Sequence, residues 1–237
     1  IRHPEYKIDY LFSRKLDDKL YGREQELTLH VISPLNEHIG QVQTLNAQSM
    51  GRAELLIVMP EDDRLIRDLL AYKRTEKYVK VKTQNSQQAS TKRILIDKNL
   101  QNQERKKEIN QRLKVFLGQS RLFLQGTELD IGGEDAETRI TKGFYELINR
   151  TYTNLRMLQG IHYQEKNISG LLSDDSDSLL QSDAHAISEA EQEILSFIQS
   201  KKREGVRTTV KTLLERFEHK PYGWPYAAVL CTLAKVF

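Results

Sequence analysis

The chain has one cysteine in 237 residues, which excludes an intramolecular disulfide and makes a reducing, cytoplasmic setting the expected one. Cys231 falls on the apolar side of the last helical segment, where a small buried hydrophobe is the simplest role. No apolar run approaches the roughly 20 residues a bilayer-spanning helix needs, and no signal-like segment opens the chain, so no membrane partner is expected. An initiator methionine is also lacking at Ile1. After Phe237 there is neither a glycine nor a polar residue to cap the final helix. Both features are what a piece of a longer protein would show.

Recognisable chemistry is equally sparse. No glycine stands before a Gly-Lys-Ser/Thr at P-loop spacing. The six histidines, at 3, 30, 38, 162, 185 and 219, form no i,i+4 pair, so a histidine metal site is unsupported. No Cys–His or Ser–His–Asp arrangement has a local signature. "LLIVMPEDD" places acids after an apolar strand, as Mg²⁺ sites of nucleotide enzymes do, but Pro60 intervenes. A helix start accounts for Glu61 to Asp63 without a metal. No catalytic, cofactor-binding or metal-binding residue is assigned, and the chain itself is expected not to be an enzyme.

What is present is segregated charge. The formal net charge is only +3, with 38% hydrophobic and 29% charged residues. Yet residues 73–114 carry 13 Lys/Arg against 4 Asp/Glu, residues 166–194 carry one lysine against 7 acids, and residues 195–237 carry 8 Lys/Arg against 3 Glu. Two basic regions flank an acidic one. That pattern suits a polyanion or an acidic partner surface, and a solvated helical face explains it equally well.

Periodicity points to an α+β, helix-rich fold. Residues 1–80 read as a small α/β portion. Strands are expected in "YKIDYLF" and "QELTLHVIS", with the charged connector "SRKLDDKLYGREQ" between them. "PLNEHIGQVQTLNAQSMG" reads as a loop or weak strand. "AELLIVMP", a short apolar run bounded by Gly51 and Pro60, reads as a buried strand, and "EDDRLIRDLLAYKRTEKYV" as the helix after it. Residues 81–165 read as a helix–hairpin–helix middle. Its parts are a polar loop over Lys82–Thr91, a long helix whose stretch Gln101–Glu108 has no apolar residue to bury, a hairpin around Gln125-Gly126, and a helix with Ile140, Phe144, Leu147, Ile148, Thr151, Leu155 and Leu158 on one stripe. Residues 166–187 form an acidic Ser/Asp linker.

Residues 188–237 read as a helix-turn-helix. Ser188 and Glu191 are spaced as a capping box. Val210, Leu213, Leu214 and Phe217 give the second helix its apolar face. After the rigid "PYGWP", the third helix presents Tyr226, Val229, Leu230, Leu233, Val236 and Phe237. Lys201, Lys202, Arg203, Arg207, Lys211 and Arg216 surround the first two helices, but the third carries only Lys235. Base readout is therefore doubtful on a thin polar set, while phosphate contact or protein docking both stay open. Upstream, "AYKRTEKYVKVK" interleaves Tyr72 and Tyr78 with Lys73, Arg74, Lys77, Lys80 and Lys82. Polyanion binding and snorkelling along an amphipathic helix both explain that pattern.

Four stretches, "AELLIVMPEDDRLIRDLLAYKRTEKYV", "NQERKKEINQRLKVFLGQSRLFLQG", "TRITKGFYELINRTYTNLRML" and "SEAEQEILSFIQ…TTVKTLLERFEHKPYGWPYAAVLCTLAKVF", together resemble the interior of the BrxC/PglY P-loop proteins of bacterial BREX phage-exclusion systems. The likeness covers most of the chain from about Arg52, and "KPYGWP" and "RTEKYV" are its most specific parts. It implies a large AAA+-like ATPase using ATP and Mg²⁺ beside a DNA methyltransferase. The nucleotide motif would lie N-terminal to this region, so no catalytic residue carries over. The resemblance further implies a winged-helix-like end whose wing would follow Phe237. The partners it suggests are DNA, other phage-defence proteins, or further copies of the chain. A stand-alone interaction or oligomerisation module without a nucleic-acid role is the alternative.

Overall fold

The computed structural model describes residues 1–85, 88–132, 135–173 and 187–236. The chain divides into two compact units, one of Phe12–Leu147 and the other of Ile1–Leu11 with Ile148–Phe237. The four consecutive segments expected from composition do not coincide with these units. Strands from the first and second segments share one sheet, because Arg121–Leu124 returns to pair with Glu54–Val58.

The first unit is built on a six-stranded sheet in the order β2-β1-β3-β4-β5-β6. β1 (Phe12–Leu16) and β2 (Lys19–Tyr21) form an antiparallel hairpin where a charged connector was expected. Both are strands at or near the sheet edge, so Arg14 and Lys19 reach solvent, and charge density there does not argue against a strand. β3 (Leu27–Ile32) lies parallel to β1 and to β4 (Glu54–Val58). α1 (Val42–Ser49) makes the crossover to β4 through the segment expected as a loop or weak strand. Its amphipathic signal is weak because Leu45 is its one buried large apolar residue.

Every residue of β4 is buried, which explains its unbroken apolar run. Leu56 and Val58 pack with Ile32, Leu45 and Phe123. α4 (Ala136–Thr151) comes so close to β4 that a Cβ on Gly143 would meet the Leu55 side chain at 3.1 Å. β5 (Arg121–Leu124) and β6 (Thr127–Leu129) close the sheet as the expected hairpin. Gln125 at φ 51 and Gly126 at φ 85 make a tight turn of the type that matches strand twist.

Between the neighbouring strands β4 and β5 the chain runs out and back as two long helices, α2 (Asp63–Asn85) and α3 (Ala89–Gln119). Asp62 Oδ1 accepts from Leu65 N at 2.7 Å, so the acids after Pro60 do begin a helix. The polar loop expected over Lys82–Thr91 is helical up to Asn85 and again from Ala89. A polar sequence there needs no burial to be helical, because α2 and α3 pack chiefly on each other.

The second unit is helical. Of "YKIDYLF" only Phe12 is in a strand, as the start of β1, and before it only an isolated bridge, Arg2↔Asp9, forms. Tyr10 instead stacks on Tyr152 at 5.3 Å between ring centroids. α4 ends at Thr151, short of the expected stripe, and a 3-10 turn over Leu155–Leu158 buries the last two leucines of that stripe. α5 (Lys166–Ser173) is a helix where a linker was expected, and residues 174–186 of that linker lie outside the described residues. α6 (Glu189–Arg203), α7 (Val210–Phe217) and α8 (Tyr226–Val236) complete the unit. Ser188 with Glu191 forms the expected capping box, and Thr209 with Thr212 forms a second one at α7.

The "PYGWP" segment is the keystone of this unit. Phe217 stacks on Trp224 at 4.9 Å and meets Tyr222 edge-on at 4.7 Å. Trp224 Nε1 donates to the Asn154 carbonyl at 3.1 Å, and Tyr10 Oη donates to the Gly223 carbonyl at 3.1 Å. Gly223 sits at φ 62, and a Cβ there would lie 2.5 Å from the Tyr152 ring. Only glycine fits this position.

Candidate nucleic-acid interface

The helix-turn-helix places α8 where a groove-reading helix would stand. Its surroundings argue against that role. α8 packs against α5, α6 and α7 together, and Ala228, Val229, Cys231 and Thr232 are its buried residues. Cys231 is buried as expected, but the buried face is rotated from the expected stripe: Tyr226 is exposed and Thr232 points inward. The displacement follows from α5, which covers a side of α8 that the sequence leaves to solvent. Lys235, the helix's one cation, lies 3.8 Å from Glu191 and 5.8 Å from the Tyr163 ring centroid. Burial pushes the Cys231 thiol up, and its sulfur approaches the Gln164 carbonyl at 3.7 Å.

Half of the cations expected around α6 and α7 are engaged locally. Lys201 pairs with Glu204 at 2.7 Å and lies over the Phe197 ring. Lys211 faces Glu215 at 3.8 Å, and the Arg216 guanidinium lies 5.2 Å from the Tyr222 ring centroid. Burial, reinforced by the bond to Glu193, raises the Tyr222 phenol. Lys202, Arg203 and Arg207 are exposed and make no ion pair among the described residues. They form a small cationic corner where α6 gives way to α7.

The other candidate surface is the α2–α3 arm, which has a heptad seam. On α3 the buried residues are Leu95, Asn102 and Ile109, seven apart, with Phe116 half-buried next in the series. On α2, Leu65 is buried and Asp68, Tyr72, Thr75 and Val79 follow at spacings of three and four, half-buried. Two polar ties cross the seam: Asn102 Nδ2 donates to the Tyr72 carbonyl at 3.1 Å, and Arg112 meets Asp68 at 3.1 Å. Asn102 corrects the expectation that Gln101–Glu108 has nothing to bury, since a satisfied asparagine occupies the seam. Tyr72 and Lys73 both bond Glu76, holding its carboxyl below the usual range, and Lys73 is raised in turn. Lys73 is thus committed within its own helix, whereas Arg74, Lys77, Lys80 and Lys82 are exposed without an ion pair among the described residues. Arg67 is exposed on the same side as Arg74. It falls outside the charge-rich window, and only the heptad frame reveals it.

A family model described as the BREX ATP-binding protein BrxC 4th domain with six-stranded beta sheet matches residues 1–147. A second, the BREX ATP-binding protein BrxC winged helix-turn-helix domain, matches residues 154–237. The helical unit accordingly contains a winged helix-turn-helix domain, and the sheet of the other unit has the six strands the first description names. The chain belongs to the BrxC family of BREX ATP-binding proteins, as the four resembling stretches implied. Among solved structures there is no significant match. Asp62, one of the acids that follow β4, caps α2 through Leu65 N. No described helix is long and apolar enough to cross a membrane.

Proposed function

We propose that this chain is a non-catalytic contact region of a phage-defence ATP-binding protein, and that it holds DNA by its phosphates without reading bases. One observation carries the reading. Cations on the α2–α3 arm and at the α6–α7 corner stand exposed and unpaired, while α8, the helix placed to read a groove, is packed on several sides with its lysine engaged. Phosphate neutralisation is sequence-independent and releases counterions, so its signature is steep salt dependence.

The test is binding of the chain to duplexes of unrelated sequence across a salt series. Equal affinities that fall steeply with salt are expected. Flat salt dependence, or no binding at low salt, would refute the reading. A second reading, a protein-interaction or self-assembly module with no nucleic-acid role, draws on Ile94, Ile96 and Leu100 of α3, each more than half exposed. It expects the mass of the chain to rise with concentration. In either case the chain alone is expected to turn over no nucleotide.

A further inference from the structure

We infer that the arm is one-sided, and that the outward face of α2 is its duplex-facing surface while the outward face of α3 is not. This rests on the DNA-holding reading above and goes on to assign the contact to one face. In the heptad frame set by Leu65, Tyr72 and Val79, the outward positions of α2 are Asp63, Ile66, Arg67, Leu70, Lys73, Arg74, Lys77, Lys80, Val81 and Gln84. Five of these are cations, and the one carboxylate, Asp63, stands in the first turn, before the cations begin. In the frame set by Leu95, Asn102 and Ile109, the outward positions of α3 mix Arg93, Lys107 and Lys114 with Asp97 and Glu104. The sequence as a whole makes both helices basic, and only the seam reveals that the excess lies on one of them.

The geometry suits a phosphate backbone. Successive turns of the α2 face carry Arg67, then Leu70, then Lys73 with Arg74, then Lys77, then Lys80. The stripe from Arg67 to Lys80 is about 20 Å long at the helical rise, matching the rise of about six base pairs. A protein partner fits this face poorly. Stable interfaces need a desolvated apolar centre and are depleted in lysine, whereas the large apolar residues exposed here, Leu70 and Val81, stand three turns apart among cations. The Asn102 and Arg112 ties hold the two helices in one register, so the stripe is presented by a fixed support.

The experiment titrates a mixed-sequence 30-base-pair duplex with the full chain and four variants over a salt series, with circular dichroism checking that each is folded. Arg67→Gln/Arg74→Gln/Lys77→Gln/Lys80→Gln should reduce the slope of log affinity against log salt by about three to four, at roughly 0.9 per lost phosphate contact. The charge-retaining Arg67→Lys/Arg74→Lys/Lys77→Arg/Lys80→Arg should restore it. Arg93→Gln/Lys107→Gln/Lys114→Gln should change the slope by less than about one. If the α3 variant is as damaging as the α2 variant, the one-sided assignment is wrong. If the α2 variant keeps its slope and Lys202→Gln/Arg203→Gln/Arg207→Gln removes it, DNA lies on the winged-helix unit: the inference falls and the DNA reading survives. If the unsubstituted chain binds no duplex with salt dependence, the DNA reading itself fails.

Discussion

α2 and α8 are both helices of this chain, and they show opposite ways for a helix to relate to charge. α2 has one long partner, α3, so a single seam is covered and the remaining sides stay in water. Such a helix can carry any number of cations outward at little cost. α8 has three partners and eleven residues, and Ala228, Val229, Cys231 and Thr232 disappear among them. A cation on α8 must find a specific place, and Lys235 finds Glu191 and Tyr163. The number of neighbours, more than the type of motif, decides which helix can meet a polyanion. By that criterion the arm is the better candidate, although helix-turn-helix convention favours α8.

The largest expected effect falls at the support of α8. Gly223→Ala would force an L residue to φ 62 and press a Cβ to 2.5 Å from the Tyr152 ring. A left-handed backbone costs about 1–2 kcal/mol, and overpacking adds about 1–3 kcal/mol. A loss of about 3 kcal/mol should follow, read from Trp224 fluorescence during urea unfolding. A loss below about 1 kcal/mol would mean the knot relaxes freely, and that α8 is held less tightly than its burial implies.

The matching break in the arm is milder. Asn102→Ala removes the bond to the Tyr72 carbonyl and leaves a small void in the seam, costing about 1–2 kcal/mol. The effect should be local: amides of α2 and α3 exchange faster, while the Trp224 unfolding midpoint stays put. A shared shift of both signals would show the arm to be coupled to the rest of the chain. Asn102→Leu should recover the stability and loosen the register, as apolar replacements of a polar seam residue do.

Much of this architecture was legible in the residues, and the exceptions share a cause. β4, α4, α6 and α7 announced themselves because each buries a face wide enough to impose a period. β1, β2 and the ends of α2 and α3 did not, since "SRKL" at a sheet edge and "KTQNS" on a solvated helix bury too little to select apolar residues. Asn102 was invisible for a different reason. A seam position filled by an asparagine that satisfies itself on a neighbouring carbonyl counts as polar in any apolar tally. The seven-residue spacing of Leu95, Asn102, Ile109 and Phe116 was the signal that could have found it. For the site, the cations were in view but their commitments were not. Lys73, Lys201, Lys211 and Arg216 look like Arg74 and Lys202 until the carboxylates and rings beside them are placed.

Cys231 sharpens the comparison with a smaller energetic effect. Burial raises its thiol pKa, with Lys235 opposing. A raised value favours the neutral thiol in the folded state, so its contribution is fully present below the unfolded-chain value of about 8.5 and is lost as pH rises through the higher folded value. At pH 8 a thiol-exchange reagent should label Cys231 only as fast as the chain unfolds, and Gly223→Ala should speed the labelling. Fast labelling of the unsubstituted chain would show that α8 is reached by solvent on the side assigned to α5 and α6.

The smallest expected effect tests the other half of the comparison. If three sides of α2 are free, replacing Arg67, Arg74, Lys77 or Lys80 by glutamine removes no protein contact, and each change should move stability by less than about 0.5 kcal/mol. Glutamine and lysine have nearly the same helix propensity, so the helix itself should not register the exchange. Removing like charges from a crowded face should tip any residual effect toward stabilisation, most visibly at low ionic strength. A variant that gains slightly in thermal stability while losing DNA affinity would identify these cations as held against the preference of the fold, which is how a binding surface differs from a solvated one. A variant that loses stability by a full kcal/mol would instead show that the cations pack or pair, and the outward face of α2 would then be structural in the same sense as α8.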